Sequence, residues 1–273
     1  MRAVKIVGLF LLTTVFLIGG IVLGQNILIF PAAYSLTLAN KDYPPEVEPL
    51  LMRTPDQQTL ELWRRPGSDT RHPYVALLLH GNGQDITNFT EIPAWIRSLG
   101  LASYSLDYRG FGRSTGSPSE AGIYLDVESA MQTILMRENI SPSKLIVVGH
   151  SLGAAPALYL SARYDLAAVV LFAPFSSLTA VVAEHPLYRY LKQFLWYEFP
   201  NAQYIAQTRA KCILIAHGKE DRIIPYEHSE FLGRETNRAA LLFTVIQPDA
   251  DHISVIAKTK GELTPYLLRC LTN

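Results

Sequence analysis

The chain has little of what would announce a partner. Its 273 residues hold 24 basic and 24 acidic side chains, for a formal net charge of zero. No run of like charge occurs, which excludes nucleic acid as the main partner, because phosphate binding needs a concentrated Lys/Arg surface. Cysteine is scarce: Cys212 and Cys270 form neither zinc-ligand spacing nor a dense disulfide framework. They read as two semi-buried thiols, with a single disulfide as the alternative in an oxidising compartment. No pair of histidines has metal-ligand spacing, so no metal is expected. Internal repeats and low-complexity linkers are missing too. What is present, 49% hydrophobic and 18% charged residues, is the composition of a folded chain long enough for one larger α/β domain.

Charge is absent altogether from Ile6 to Gly24, a run of 19 residues, and the next charged side chain is Lys41. As a helix the run would be about 28 Å long, close to the roughly 30 Å hydrocarbon core of a bilayer. It lacks the polar face that a helix of a soluble domain keeps. A cleaved signal peptide is one reading, although its apolar part is usually shorter and Pro31-Ala32-Ala33 matches a cleavage site poorly. The preferred expectation is an uncleaved transmembrane anchor over 1–25. Arg2, Lys5 and the terminal amine would hold the N-terminus in the cytoplasm. The chain would then be a single-pass membrane protein with its catalytic domain, 26–273, on the non-cytoplasmic side.

Beyond residue 26, short apolar runs alternate with helical stretches. Strands are expected at Leu60 to Trp63, Tyr74 to His80, Leu101 to Asp107, Leu145 to Gly149, Ala168 to Phe172, Lys211 to His217 and Leu241 to Ile246. Continuous apolar runs of this length suit strands covered on both faces. The clearest helix opens at Ser117-Pro118-Ser119-Glu120, a capping box with Pro at the first helical position. Its apolar stripe is Ile123, Val127, Met131, Ile134 and Leu135, and Asn139 and Pro142 end it. Strands alternating with helices predict an α/β fold with a mostly parallel sheet and helices on both faces.

The sequence with most chemical content is Gly149-His150-Ser151-Leu152-Gly153, between the strand LIVVG and the helical run AAPALYLSAR. A serine on a sharp strand-to-helix turn, flanked by glycines that relieve crowding, is the arrangement of a nucleophile elbow. A serine hydroxyl is a weak nucleophile and needs a base with a group to orient it. Asp221, in HGKEDRIIP just after the strand KCILIAH, is the candidate acid, with Glu220 and Asp251 as rivals. His252, in Asp249-Ala250-Asp251-His252, is the candidate base. The backbone N–H groups of Asn82, in His80-Gly81-Asn82-Gly83, and of Leu152 are nominated as donors to a developing oxyanion. His80, His150 and His217 flank glycines at strand ends, where packing and turn hydrogen bonds explain them. His72, His185 and His228 read as solvated. Gly110-Phe111-Gly112 lacks the third glycine in register for a dinucleotide fingerprint and reads as a turn.

Taken in order, HGNG, DYRGFGRSTGSPSE, GHSLG, APFSSL, HGKEDRIIP and DH resemble the α/β-hydrolase superfamily, in a membrane-anchored branch similar to serine aminopeptidase-like and lysophospholipase-like hydrolases. The resemblance covers about 26–273. It implies a mostly parallel eight-stranded sheet, Ser151 as nucleophile, Asp221 as acid and His252 as base, with no cofactor. NILIFPA, just after the apolar run, looks like the first strand of that branch. One departure is PDADH, where family members often carry a glycine shortly before the histidine, which puts the geometry of that loop at issue.

Residues 173–210 stand where these enzymes carry a small helical cap. They hold Phe175, Tyr188, Tyr190, Phe194, Trp196, Tyr197, Phe199 and Tyr204. These either line an acyl pocket or touch a membrane, or they pack the cap onto the domain. The expected activity is that of a serine hydrolase (carboxylesterase or acylhydrolase type) forming an acyl-enzyme on Ser151. A small-molecule or lipid-like acyl ester, thioester or amide is the favoured substrate. The alternatives are a peptidase with the same triad and a non-catalytic binding protein that keeps the fold.

Overall fold

The computed structural model describes residues 19–20, 24–34, 43–69, 73–186 and 188–272. Eight strands form one sheet: β1 (Glu48–Arg53), β2 (Thr59–Arg65), β3 (Val75–Leu79), β4 (Ala102–Leu106), β5 (Leu145–His150), β6 (Ala168–Phe172), β7 (Cys212–Gly218) and β8 (Leu241–Gln247). Their order is β1-β2-β4-β3-β5-β6-β7-β8. β2 runs antiparallel to both of its neighbours, and every other pairing is parallel.

The apolar runs become the central strands for the reason their composition suggests. β3, β5, β6 and β7 are buried along their whole length, and alternate residues feed two cores. Leu77, Val147, Val169 and Ile213 face one side, against the helices Glu120–Glu138 (α3) and Ala154–Ser161 (α4). Ala76, Leu78, Ile146 and Val170 face the other, against Glu91–Ser98 (α2) and Ser254–Thr272 (α8). Each such Val, Leu or Ile side chain stabilises the fold by about 1.5–3 kcal/mol over exposure. β1 is a strand that the sequence pattern does not anticipate, because on this edge only Met52 is buried and Leu50 half-buried against the core, a pattern too short to mark it.

The helix begins two residues late. Ser119, not Ser117, is the N-cap of α3, its Oγ accepting the Gly122 N–H at 3.1 Å. The expected box fails because Glu120 turns to other donors: it accepts the N–H groups of Glu198 and Phe199 and the Tyr124 hydroxyl. The helix ends as expected at Asn139, which is left-handed with φ 51°.

Two expectations about the N-terminal part are overturned. Among the described residues no helix is long and apolar enough to cross a membrane. The transmembrane anchor over 1–25, and with it the placement of a single-pass protein's domain on the non-cytoplasmic side, is corrected accordingly. Apart from Gly19, Gly20 and Gly24, the run from Ile6 to Gly24 lies outside the described residues. NILIFPA is also no strand: Gln25–Ile29 is a short helix (α1) followed by a 3-10 turn, Pro31–Tyr34. Polar side chains clamp α1 onto the 173–210 segment. Gln25 donates to the Phe194 carbonyl and accepts the Trp196 N–H, and Asn26 accepts the Tyr197 hydroxyl. Phe30, fully buried, packs edge-on against Phe111, Tyr197 and Phe199.

Cys212 at the start of β7 and Cys270 near the end of α8 are joined in a disulfide with a Cα–Cα distance of 6.0 Å. The reading of two thiols gives way to its alternative, because α8 packs back along β7 and brings the two residues together. Replacing both cysteines by serine should lower the unfolding free energy by about 2–4 kcal/mol. Urea denaturation of the double variant and of reduced wild type checks this; curves that coincide with that of the oxidised protein would refute it.

Candidate active site

β5 ends at His150, and the chain passes directly into a 3-10 turn, Ser151–Gly153, and then α4. Ser151 has φ +53°, a conformation that costs a non-glycine residue on the order of 1–3 kcal/mol. The neighbouring glycines make the turn possible. A Cβ on Gly149 would stand 2.3 Å from the Gly153 carbonyl oxygen, and one on Gly153 would stand 2.2 Å from that of Leu79. The elbow therefore folds tightly on itself and against the end of β3. Ser151 is set at the carboxyl edge of the sheet, where β3 and β5 neighbour each other while the chain leaves β3 for β4 on the far side. Such switch points are where open α/β sheets leave a crevice.

Two strand-end loops bring the remaining candidates to this serine. Ser151 Oγ lies 3.0 Å from His252 Nε2, and His252 Nδ1 lies 2.6 Å from Asp221 Oδ2. All three residues are buried. The rival acids are elsewhere: Asp251 Oδ1 accepts the N–H groups of Ile253 and Ser254 at the start of α8, and Glu220 is exposed. Burial alone would raise the Asp221 pKa, but hydrogen bonds from His217 and His252, the nearby His252 charge and the Ile224 N–H outweigh it. They hold the carboxyl well below the usual carboxylate range. The loop before His252 lacks the glycine expected of the family, and Gly218 on the facing strand supplies the clearance instead. A Cβ there would fall 2.2 Å from the Ala250 carbonyl oxygen.

The strand-end histidines do more than fill turns. His217 Nε2–H is shared between Asp221 Oδ2 and the Ile224 carbonyl, at 3.1 and 2.9 Å, while its Nδ1 accepts the Ser229 hydroxyl. His150 Nε2 lies 3.0 Å from the His252 carbonyl, and its Nδ1 lies 3.1 Å from Gln84 Oε1. It therefore spans the elbow, the His252 loop and the loop after β3. His80 Nε2 lies 3.3 Å from Asp107 Oδ1 without a hydrogen bond, and that oxygen accepts the Ile86 N–H and so pins the same loop. Sequence reasoning missed these positioning roles, and a histidine beside a glycine at a strand end was the one signal available. His228 was expected in solvent but is buried, because the Ser176 N–H points at its Nδ1 and Glu184 meets its Nε2. His185 is exposed and accepts the Tyr188 N–H, and His72 lies outside the described residues.

A cavity of about 360 Å3 opens onto Ser151 and His252. Asn82 and Leu152, the nominated oxyanion donors, are on its wall beside them, and its far side is apolar: Ile29, Phe175, Leu178, Val181, Phe199 and Ile223. The aromatics of 173–210 thus divide. Phe175 and Phe199 line the cavity, Tyr197 and Tyr204 pack against the core, and Tyr188, Tyr190, Phe194 and Trp196 are exposed. α1, through Ile29, supplies wall that the sequence did not suggest.

An eight-stranded, mostly parallel sheet with a serine elbow at its switch point is the α/β-hydrolase fold. Residues 71–213, more than half of the chain, match the Hydrolase_4 family, described as serine aminopeptidase, S33, and the chain belongs to that family. The uncharacterized protein YfhR of Escherichia coli K12 is 31% identical over 191 residues, which is 67% of this chain and 64% of YfhR. The chain thus spans under two thirds of that relative's length. The uncharacterized protein Rv2307c of Mycobacterium tuberculosis is 32% identical over 208 residues, 76% of this chain and 73% of that one. The esterase Pf2001 of Pyrococcus furiosus is alike in fold, with a TM-score of 0.69 at 18% identity, over 87% of this chain and 99% of its own.

Burial, with a smaller repulsion from His252, lowers the His150 pKa to about 4. In the unfolded chain this imidazole would protonate near 6.5. The unfolded state therefore binds the extra proton between pH 6.5 and about 4. His150 favours the fold fully above that window, and roughly 3 kcal/mol is lost as pH falls through it. Urea unfolding at pH 7 and pH 4 should show a smaller loss in His150→Gln than in wild type; equal losses would refute the assignment.

Proposed function

We propose that the protein is a serine hydrolase of acyl esters, thioesters or amides, with 26–273 as its catalytic domain and 173–210 as a cap over the acyl group. The observation that carries this reading is the unbroken chain Ser151–His252–Asp221 at the mouth of an apolar cavity. His252 Nε2 takes the Ser151 proton as Oγ attacks the carbonyl carbon. The resulting oxyanion is held by the N–H groups of Asn82 and Leu152. His252 then returns the proton to the departing alcohol, thiol or amine, and water attacks the acyl-enzyme by the reverse sequence. Asp221, kept ionised by its donors, orients the imidazole and stabilises its charged form. No step calls for a cofactor.

The family's description as serine aminopeptidase suggests a peptide substrate instead. An aminopeptidase must hold the α-ammonium of its substrate, which a carboxylate does best. Glu220 and Asp251 line an adjoining cavity that shares Ile223, His252 and Ile253, but the wall that faces Ser151 across the cavity is apolar, which supports an acyl chain there. The Pyrococcus furiosus neighbour, itself described as an esterase, is consistent with that choice.

A fluorophosphonate probe should label the wild type and fail to label Ser151→Ala. The same variant should lose on the order of 10³–10⁶ in kcat/KM on acyl esters. An unlabelled wild type, or equal labelling of the two, would defeat the enzyme reading. Within it, Ile29→Trp should keep probe labelling yet shift the preferred p-nitrophenyl ester to a shorter chain, since the side chain fills cavity space. An unchanged chain-length profile would remove α1 from the substrate site.

A further inference from the structure

A second cavity, of about 420 Å3, lies between β2, α2 and the stretch leading into β1. Trp63 and Arg65 form one side, Pro93 and Arg97 of α2 the other, with Glu46 and Thr90 also lining it. Arg65 is only 7% exposed, a degree of burial rarely seen for arginine without an acidic partner. Yet among the described residues no carboxylate comes within ion-pair distance of it. Its hydrogen bonding is confined to a long contact of 3.3 Å from Nη1 to Ser105 Oγ, and its guanidinium lies 5.6 Å from the centre of the Trp63 ring. Burial pushes this guanidinium below its ordinary pKa, Glu46 partly offsets that, and the charge of Arg97 adds to the depression.

Arg97 lines the same space from the facing helix and likewise has no ion-pair partner among the described residues. Two like charges, one of them buried, thus converge on one cavity instead of separating. The neighbouring polar groups are also underused. Thr90 precedes α2 without making a side-chain cap bond. Ser103, the cross-strand partner of Arg65, is buried with no partner for its Oγ among the described residues. Register partners on antiparallel strands face the same side. The one carboxylate in the lining, Glu46, is exposed and leaves the two guanidinium groups in excess.

We propose that this cavity binds a small organic oxyanion, a carboxylate or a phosphate monoester, gripped between the Arg65 and Arg97 guanidinium groups with its carbon skeleton against Trp63 and Pro93. A guanidinium presents parallel N–H donors that match two oxygens of such a group, and an anion would supply the partner that buried Arg65 lacks among the described residues. The site is separate from Ser151: its lining residues share none with the apolar cavity.

Isothermal titration of the full chain with sodium phosphate and with sodium acetate, against sodium chloride at matched ionic strength, tests this. Saturable binding of at least one oxyanion is expected, weakened at least about tenfold in Arg97→Gln and unchanged in Ser151→Ala. Tighter phosphate binding points to a phosphate monoester, and tighter acetate binding to a carboxylate. Arg65→Gln should weaken binding as much. Should that variant fail to fold, Arg97→Gln, altered at an exposed position, carries the test alone. No saturable binding of either ion, binding that survives Arg97→Gln, or binding lost in Ser151→Ala would each overturn the proposal.

Discussion

At the carboxyl ends of β3, β5 and β7 the backbone passes itself so closely that no Cβ fits. The Gly153 position is pressed on the Leu79 carbonyl, Gly149 on Gly153, and Gly218 on Ala250. One contact within the elbow and two between main-chain segments far apart in sequence set where the elbow, the loop after β3 and the His252 loop stand relative to one another. The left-handed backbone of Ser151 follows from the first two. Its cost is offset by the packed sheet below, since β3 and β5 are buried throughout. The candidate site thus rests on a rigid edge, which is what a constellation requiring placement to a fraction of an ångström needs.

Buried polar groups then do the fine positioning. Asp221 gathers donors from His252, His217, Ile223 and Ile224, so an ionised carboxylate is tolerable at a depth where a lone one would not be. His150 ties the His252 carbonyl to Gln84, and Asp107 holds the Ile86 N–H. These bonds join the loops after β3, β5, β7 and β8 into one network. The apolar wall facing that network comes from elements outside the sheet, namely α1 and the segment between β6 and β7. Polar positioning on one side and apolar accommodation on the other is the division that acyl chemistry asks of a site.

Legibility in the sequence followed the range of the forces involved. β3, β5, β6 and β7 were readable because strands covered on both faces must be continuously apolar. Ser151 and Asp221 could be nominated because each follows such a strand at a turn, whereas His252 follows the more exposed edge strand β8. β1 was not readable, since an edge strand whose inward residues are only Leu50 and Met52 carries almost no pattern. The start of α3 was misplaced because Glu120 is drawn to the N–H groups of Glu198 and Phe199, nearly eighty residues on. α1 looked like a strand for a similar reason: Phe30 is held by Phe111, Tyr197 and Phe199, none of them local. The uncharged run before it suggested a membrane span, but the described residues contain no helix of that kind.

Composition and short-range pattern therefore determined the α/β class and the core strands, and nominated Ser151, Asp221 and His252 in that order as candidates. These depend on local periodicity and on turn chemistry, both of which a linear string records. Tertiary structure alone decided that Asp221, and not Glu220 or Asp251, meets His252, and that Gly218 leaves room for the Ala250 carbonyl of the loop before the histidine. It also decided that Cys212 and Cys270 are bonded and that Arg65 is buried without an acidic partner among the described residues. Each of these turns on which distant segments approach within a few ångströms, and that is fixed by how helices and loops pack across the sheet.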